Sequence, residues 1–141
     1  EFAVVYIHVD APPAGSPPPD DAVRERVFEA MARLLRSNTR AMDAPCRLEG
    51  ERFALLLSGM GLATAHARME GMRRQCATQL VPKGGAALRF TVSMGLASFP
   101  HTAQTQAGLL HAAETALAQA VQRGGNHVAL ASIAFGGATV G

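Results

Sequence analysis

Two hydrophobic periods alternate along this chain, and their order limits its fold more than any other feature. Phe2 to Val9 reads FAVVYIHV, a short run rich in β-branched residues that ends at Asp10 and the stretch APPAGSPPP. It predicts a buried strand followed by a loop. The triplet Pro17 to Pro19 can continue neither a ladder nor a helix. Asp20 and Asp21 then offer N-caps for a helix whose apolar face is Val23, Val27, Met31 and Leu34 and which ends near Ser37 and Asn38. Cys46-Arg47-Leu48 and Phe53 to Leu57 flank the turn Glu49-Gly50-Glu51-Arg52, which predicts a β-hairpin. Leu62, Ala65, Met69, Met72 and Cys76 recur at helical spacing and predict a second helix over about 61–79, with its Met-rich face filling core. Leu88 to Phe99 predicts one alternating strand. Leu109, Ala113, Leu117 and Ala120 predict a third helix stopped by Gly124-Gly125, Val128 to Ile133 a closing strand, and FGGATVG a flexible tail. Strands that alternate with helices in this order form a sheet covered by helices, an α/β (α+β) domain.

Composition narrows the function classes. The chain has 141 residues, 48% hydrophobic and 17% charged, with 13 Lys and Arg against 11 Asp and Glu for a net charge of +2. That length suits one compact domain. No apolar run approaches the roughly 18 to 20 residues of a helical membrane span, and no block of like charge is long enough to keep a segment disordered. The scattered arginines, one Tyr and six Phe argue against a nucleic-acid platform, which needs a basic stripe with interleaved aromatics. Lys83 is the sole lysine, so nearly every cation is a guanidinium that can grip a carboxylate, phosphate or base edge. Cys46 and Cys76 lack metal or redox spacing and read as small core residues, and no signal region follows Glu1. Both observations predict a reduced, cytoplasmic setting, and the start without Met predicts a domain cut from a longer chain. His8 reads as a packed residue of its strand, and His66, His101, His111 and His127 as surface groups.

Four pieces, in order, resemble the GGDEF family of diguanylate cyclases: VVYIHVD (Val4 to Asp10), RLEGERFALLL (Arg47 to Leu57), FTVSMGLASFP (Phe90 to Pro100) and AAETALAQAVQRGGNHV (Ala112 to Val128). The resemblance implies a central, mostly antiparallel sheet flanked by helices, with a degenerate GGDEF domain over residues 1–133 and a tail over 134–141. It also implies where the chemistry of active members should lie. There, carboxylates hold two metal ions that activate a 3′-hydroxyl and neutralise the triphosphate of GTP, and such hard cations need oxygen ligands. In this chain EGER replaces the start of the signature. The first Asp of the metal-binding pair falls on His8 and the signature Glu on Arg52, so a cation stands where a cation should bind. Glu49 replaces the first signature Gly. Pro13 and Ser16 stand at the positions of a phosphate-binding Lys and a base-reading Asn, Glu25 at that of a guanine-binding Asp, and Val121 and Gly125 at those of a phosphate-binding Lys and Arg. Asp10, Gly50, Glu51 and Phe53 survive. These departures predict no catalytic residues, no bound metal and no required cofactor.

The resemblance also points to an inhibitory product site, Arg-x-x-Asp, ending five residues before the signature turn. Arg40-Ala41-Met42-Asp43 fits in type and register, with Ala44 to Leu48 as the five-residue spacer. Guanine offers O6 and N7 acceptors to a bidentate Arg, and N1–H and N2–H donors to a carboxylate, so Arg40 and Asp43 could read the two edges of cyclic di-GMP. The bland alternative is a solvated ion pair worth ~0 to 1 kcal/mol. A further Arg of the family's site falls on Gly71, and Arg68 and Arg74, three residues to either side on the same helix face, are the substitutes. Arg73 is rotated off that face. The expected function is therefore a catalytically inactive receptor that binds cyclic di-GMP and relays the signal to a protein partner. SNTRAMDAPCR resembles the response-regulator branch of the family. That likeness implies a homodimer in the full-length protein and a cell-cycle output through a proteolysis adaptor at a cell pole. The alternatives are a ligand-free docking scaffold, and a GTP-binding regulator or residual cyclase. The proline-rich loop is either a linker that replaces a substrate loop or a docking segment.

Overall fold

The computed structural model describes residues 1–12 and 14–132. Pro13, the end of the expected last strand at Ile133 and the expected tail lie outside the described residues. The elements are β1 (Phe2–Val9), α1 (Asp21–Asn38), β2 (Ala44–Leu48), β3 (Arg52–Ser58), α2 (Leu62–Thr78), β4 (Val81–Lys83), β5 (Ala86–Leu88), β6 (Val92–Phe99), α3 (Gln106–Gln122) and β7 (Val128–Leu130). Five strands form one sheet in the order β2-β3-β1-β6-β7, antiparallel throughout except for the parallel pair β6 and β7.

Alternation along β1 decides which helix covers which face. Ala3, Val5, Ile7 and Val9 join Phe53, Leu55 and Leu57 of β3 in the larger core under α1 and α2, with Met31, Met69, Met72 and Cys76. Phe2, Val4 and Tyr6 turn to the opposite face, against Leu109, Ala113, Ala116 and Ala120 of α3. The Met-rich face of α2 is thus core, as expected. Burial pushes the Cys76 thiol up to about 12, which leaves it protonated and inert. Helix ends follow local chemistry. Asp20 caps α1 by accepting the Val23 N–H at 2.8 Å. At the other end of α3, the Gly124 N–H donates to the Val121 carbonyl and the Gly125 N–H to the Ala120 carbonyl, a Schellman closure with both glycines at positive φ.

Three expectations change. The single strand over 88–99 is two: β5 turns back on β4 through Gly84 and Gly85, and the chain then re-enters the main sheet as β6. β6 does not alternate, because it lies between β1 and β7 with helices on both sides and is buried along almost its full length. Gly95 is required there: a Cβ would stand 2.3 Å from the Ala113 carbonyl oxygen, so β6 and α3 approach too closely for any side chain. Cys46 is exposed on the edge strand β2 and is not a core residue.

Candidate functional site

The hairpin of β2 and β3 carries two chemically distinct corners of the domain. At its turn, Gly50 (φ +70°) and Glu51 (φ +62°) both take left-handed backbone, and the Val9 N–H donates to the Glu51 carbonyl at 3.0 Å. Antiparallel pairing sets His8 beside Arg52 on the neighbouring strand. The Arg52 guanidinium lies 5.3 Å from the Tyr6 ring centroid and pairs with Glu114 of α3 at 2.6 Å. Asp10, just beyond β1, accepts from the Ser93 hydroxyl at 2.6 Å, the Thr91 hydroxyl at 2.7 Å and the Asn126 N–H at 2.8 Å. A divalent cation does not fit these residues. Two of the positions where the resemblance expects oxygen ligands are the His8 imidazole and the Arg52 guanidinium, and the Asp10 carboxylate already serves as an acceptor for three protein donors. Among the described residues, no three His, Cys, Asp or Glu side chains converge as a metal-holding group.

The remaining nucleotide positions are likewise engaged or bare. Glu25 pairs with Arg47 at 3.3 Å, and Arg47 lies 4.3 Å over the Phe28 ring. Glu49 is exposed, Val121 is an exposed apolar group at the end of α3, and a Cβ on Gly125 would meet the Asp10 carboxylate at 2.9 Å. Ser16 lines a cavity beside the signature turn together with Pro17 to Pro19.

At the other end of the hairpin, the turn between α1 and β2 brings Arg40 and Asp43 together. The Arg40 backbone N–H donates to Asp43 Oδ2 at 2.8 Å, and its Nη2 donates to Oδ1 at 2.9 Å and to the Ser58 carbonyl at 2.6 Å. Arg68 of α2 reaches the same carboxylate at 3.8 Å and donates to the Asn38 carbonyl at the end of α1. The Asp43 side chain has no exposed surface, whereas those of Arg40 and Arg68 are 39% and 29% exposed. Burial pushes the Asp43 carboxyl up, but hydrogen bonds from the Arg40 side chain and backbone and the charges of Arg40 and Arg68 outweigh it. The carboxyl is held below the usual range. This is a buried carboxylate under two half-open guanidiniums, not the solvated pair of the bland alternative.

Of the two substitutes for the arginine missing at Gly71, the structure gathers one. Arg68 joins the cluster, whereas Arg74 is exposed and has no ion pair or hydrogen bond among the described residues. Arg73 turns toward the α3–β7 connection, pairing with Glu70 at 2.5 Å and donating to Asn126 Oδ1 at 2.8 Å. Sequence reading missed the Ser58 carbonyl, Glu114 and the ring of donors around Asp10, because each partner comes from another element and has no local spacing to mark it.

The family model described as "Diguanylate cyclase, GGDEF domain" matches residues 21–127, and the chain belongs to that family. It is 28% identical over 109 residues to Diguanylate cyclase A of Treponema denticola, covering 77% of this chain and 29% of that protein. It is 32% identical over 108 residues to the response regulator PleD of Caulobacter vibrioides, covering 75% and 24%. The chain thus spans less than a third of these relatives. Among solved structures, it is similar to the Pseudomonas aeruginosa diguanylate cyclase SiaD in complex with its activator SiaC, at 27% identity and a TM-score of 0.76, covering 92% of this chain and 50% of that one. The FimX GGDEF domain of the same organism shares the fold at 19% identity and a TM-score of 0.81, over 90% and 78% of the two chains. So does the GGDEF domain of DgcB from Caulobacter crescentus in complex with c-di-GMP, at 15% identity and a TM-score of 0.74, over 92% and 77%.

Proposed function

We propose that this GGDEF domain does not synthesise cyclic di-GMP and serves instead as its receptor, passing occupancy of the Arg40–Asp43 corner to a protein partner. The observation that carries the reading is the buried Asp43 carboxylate held by Arg40 and Arg68 at the register of the product site. On binding, Arg40 turns outward to the O6 and N7 acceptors of guanine, and Asp43 accepts from N1–H and N2–H. Arg68 stays beside the carboxylate as its counter-ion while Arg40 is away. Inactivity is supported by Arg52 and His8 at the metal positions and by the three donors already on Asp10.

Calorimetric titration of cyclic di-GMP tests this reading. The wild-type chain gives saturable heat, and Arg40→Ala weakens binding at least ~5-fold, the low end of what a lost bidentate base contact costs. No heat with wild type, or unchanged binding in the variant, overturns it. Formation of cyclic di-GMP from GTP with Mg²⁺ or Mn²⁺ would overturn the inactive assignment. One observation favours a ligand-free docking scaffold as the second reading: the Asp43 side chain is wholly covered and its hydrogen bonds are already made. The same titration separates the two.

A further inference from the structure

Beside the signature turn lies a cleft whose chemistry is no longer that of a phosphate site. The cavity, about 400 Å³, has Val9, Pro17, Pro18, Val27, Phe28 and Phe90 among its walls. That volume is in the range of ligand cavities, roughly 300–1,000 Å³. The cavity adjoins a groove along the turn, and the two share Arg24, Phe28 and Glu51. Five carboxylates (Asp10, Asp21, Glu25, Glu49 and Glu51) line this combined surface against three guanidiniums (Arg24, Arg47 and Arg89), in a chain whose net charge is +2. Two of the guanidiniums are spent locally, Arg24 on Asp21 at 2.6 Å and Arg47 on Glu25 at 3.3 Å. Asp10 is satisfied by its hydroxyl and backbone donors. Glu49 and Glu51 have no salt bridge among the described residues, and Arg89 is the one lining guanidinium left to face them, so the mouth keeps an excess of negative charge.

We propose that this cleft docks an extended segment of a protein partner in which basic residues stand beside apolar ones. An apolar side chain fills the cavity against Phe28 and the prolines, and a neighbouring Arg or Lys meets Glu49 and Glu51. Charge complementarity selects this occupant, since a polyphosphate entering here meets a lining of five carboxylates against three guanidiniums and an apolar acid meets the same repulsion. The geometry favours a peptide over a compact molecule: apolar cavity and acidic groove adjoin end to end, and an extended chain fills both. Pro17 and Pro18 are exposed on the rim with φ already fixed, so they lose little freedom when covered. This site is separate from the Arg40–Asp43 corner, and its occupancy does not depend on cyclic di-GMP.

The test uses a fluorescein-labelled decapeptide of alternating leucine and arginine, and the same peptide with glutamate for arginine, followed by fluorescence anisotropy and by amide chemical shifts. The basic peptide binds one-to-one and at least ~10-fold more tightly than the acidic one, and the double variant Glu49→Gln/Glu51→Gln weakens it about fivefold. Amide shifts fall on Ala11, Ser16 and residues 49–51, and Ala11→Trp, at an exposed position on the cavity wall, blocks binding. Equal binding of both peptides, no binding of either, an unchanged double variant, shifts confined to other surfaces, or saturable GTP binding in the cleft would overturn the proposal.

Discussion

Two corners of this domain each set an arginine against a carboxylate, and they differ in which partner is buried. At Arg40 and Asp43 the carboxylate is enclosed, with a backbone N–H and two guanidiniums on it. At Arg52 and Glu114 the carboxylate is 49% exposed and the pair bridges β3 to α3 at the surface. A buried anion makes its partners obligatory, because removing one leaves a desolvated charge, whereas water replaces a lost partner at an open pair. The first corner therefore behaves as a unit, and the second ties the Arg52 guanidinium of β3 to α3.

Substitutions at each corner test this contrast. The largest effect belongs to Asp43→Ala, which strips the cap from the Arg40 N–H and the counter-ion from Arg68; we expect a loss of about 2 kcal/mol in urea unfolding at neutral pH. A loss below half of that would place the two corners in one class. Next comes the pH dependence. The folded carboxyl of Asp43 lies below its unfolded value, so its contribution is fully present above the ordinary carboxylate range and disappears as pH falls through the lowered value. Glu70, hydrogen-bonded to Arg73, is lowered and contributes in the same direction. The stability gap between wild type and Asp43→Asn should accordingly narrow as pH is taken from neutral to below 3, and a gap independent of pH would refute the role of the charge. The smallest effect is expected of Arg52→Ala, within ~1 kcal/mol of wild type and with cyclic di-GMP affinity unchanged. A larger cost would mean that the Arg52–Glu114 bridge holds the hairpin to α3.

Much of the fold was legible because it rests on local pattern. The apolar face of α1, its Asp20 cap, the Gly-containing hairpin turn and the Gly124-Gly125 stop all depend on neighbours within a few residues. The β4–β5 hairpin was not, because Val81 to Lys83 is too short to show a period and Leu88 to Phe99 reads as one apolar run until packing divides it. Of the candidate site, Arg40 and Asp43 were singled out by the family resemblance together with their spacing from the hairpin turn. The choice between Arg68 and Arg74 was open because both lie on one side of Gly71, and only Arg68 is level with the carboxylate when α2 packs beside the end of α1.

By itself the sequence determined the order of elements, the two-faced alternation of β1, the Arg-x-x-Asp spacing of Arg40 and Asp43 and the place of Arg52 beside the hairpin turn, since each is a matter of residue type and spacing. Only the tertiary structure decided that Asp43 is enclosed, that Glu114 neutralises Arg52 and that Thr91, Ser93 and Asn126 surround Asp10. Those contacts join residues up to 116 positions apart, and the sheet order that closes such distances is set by burial of the whole core.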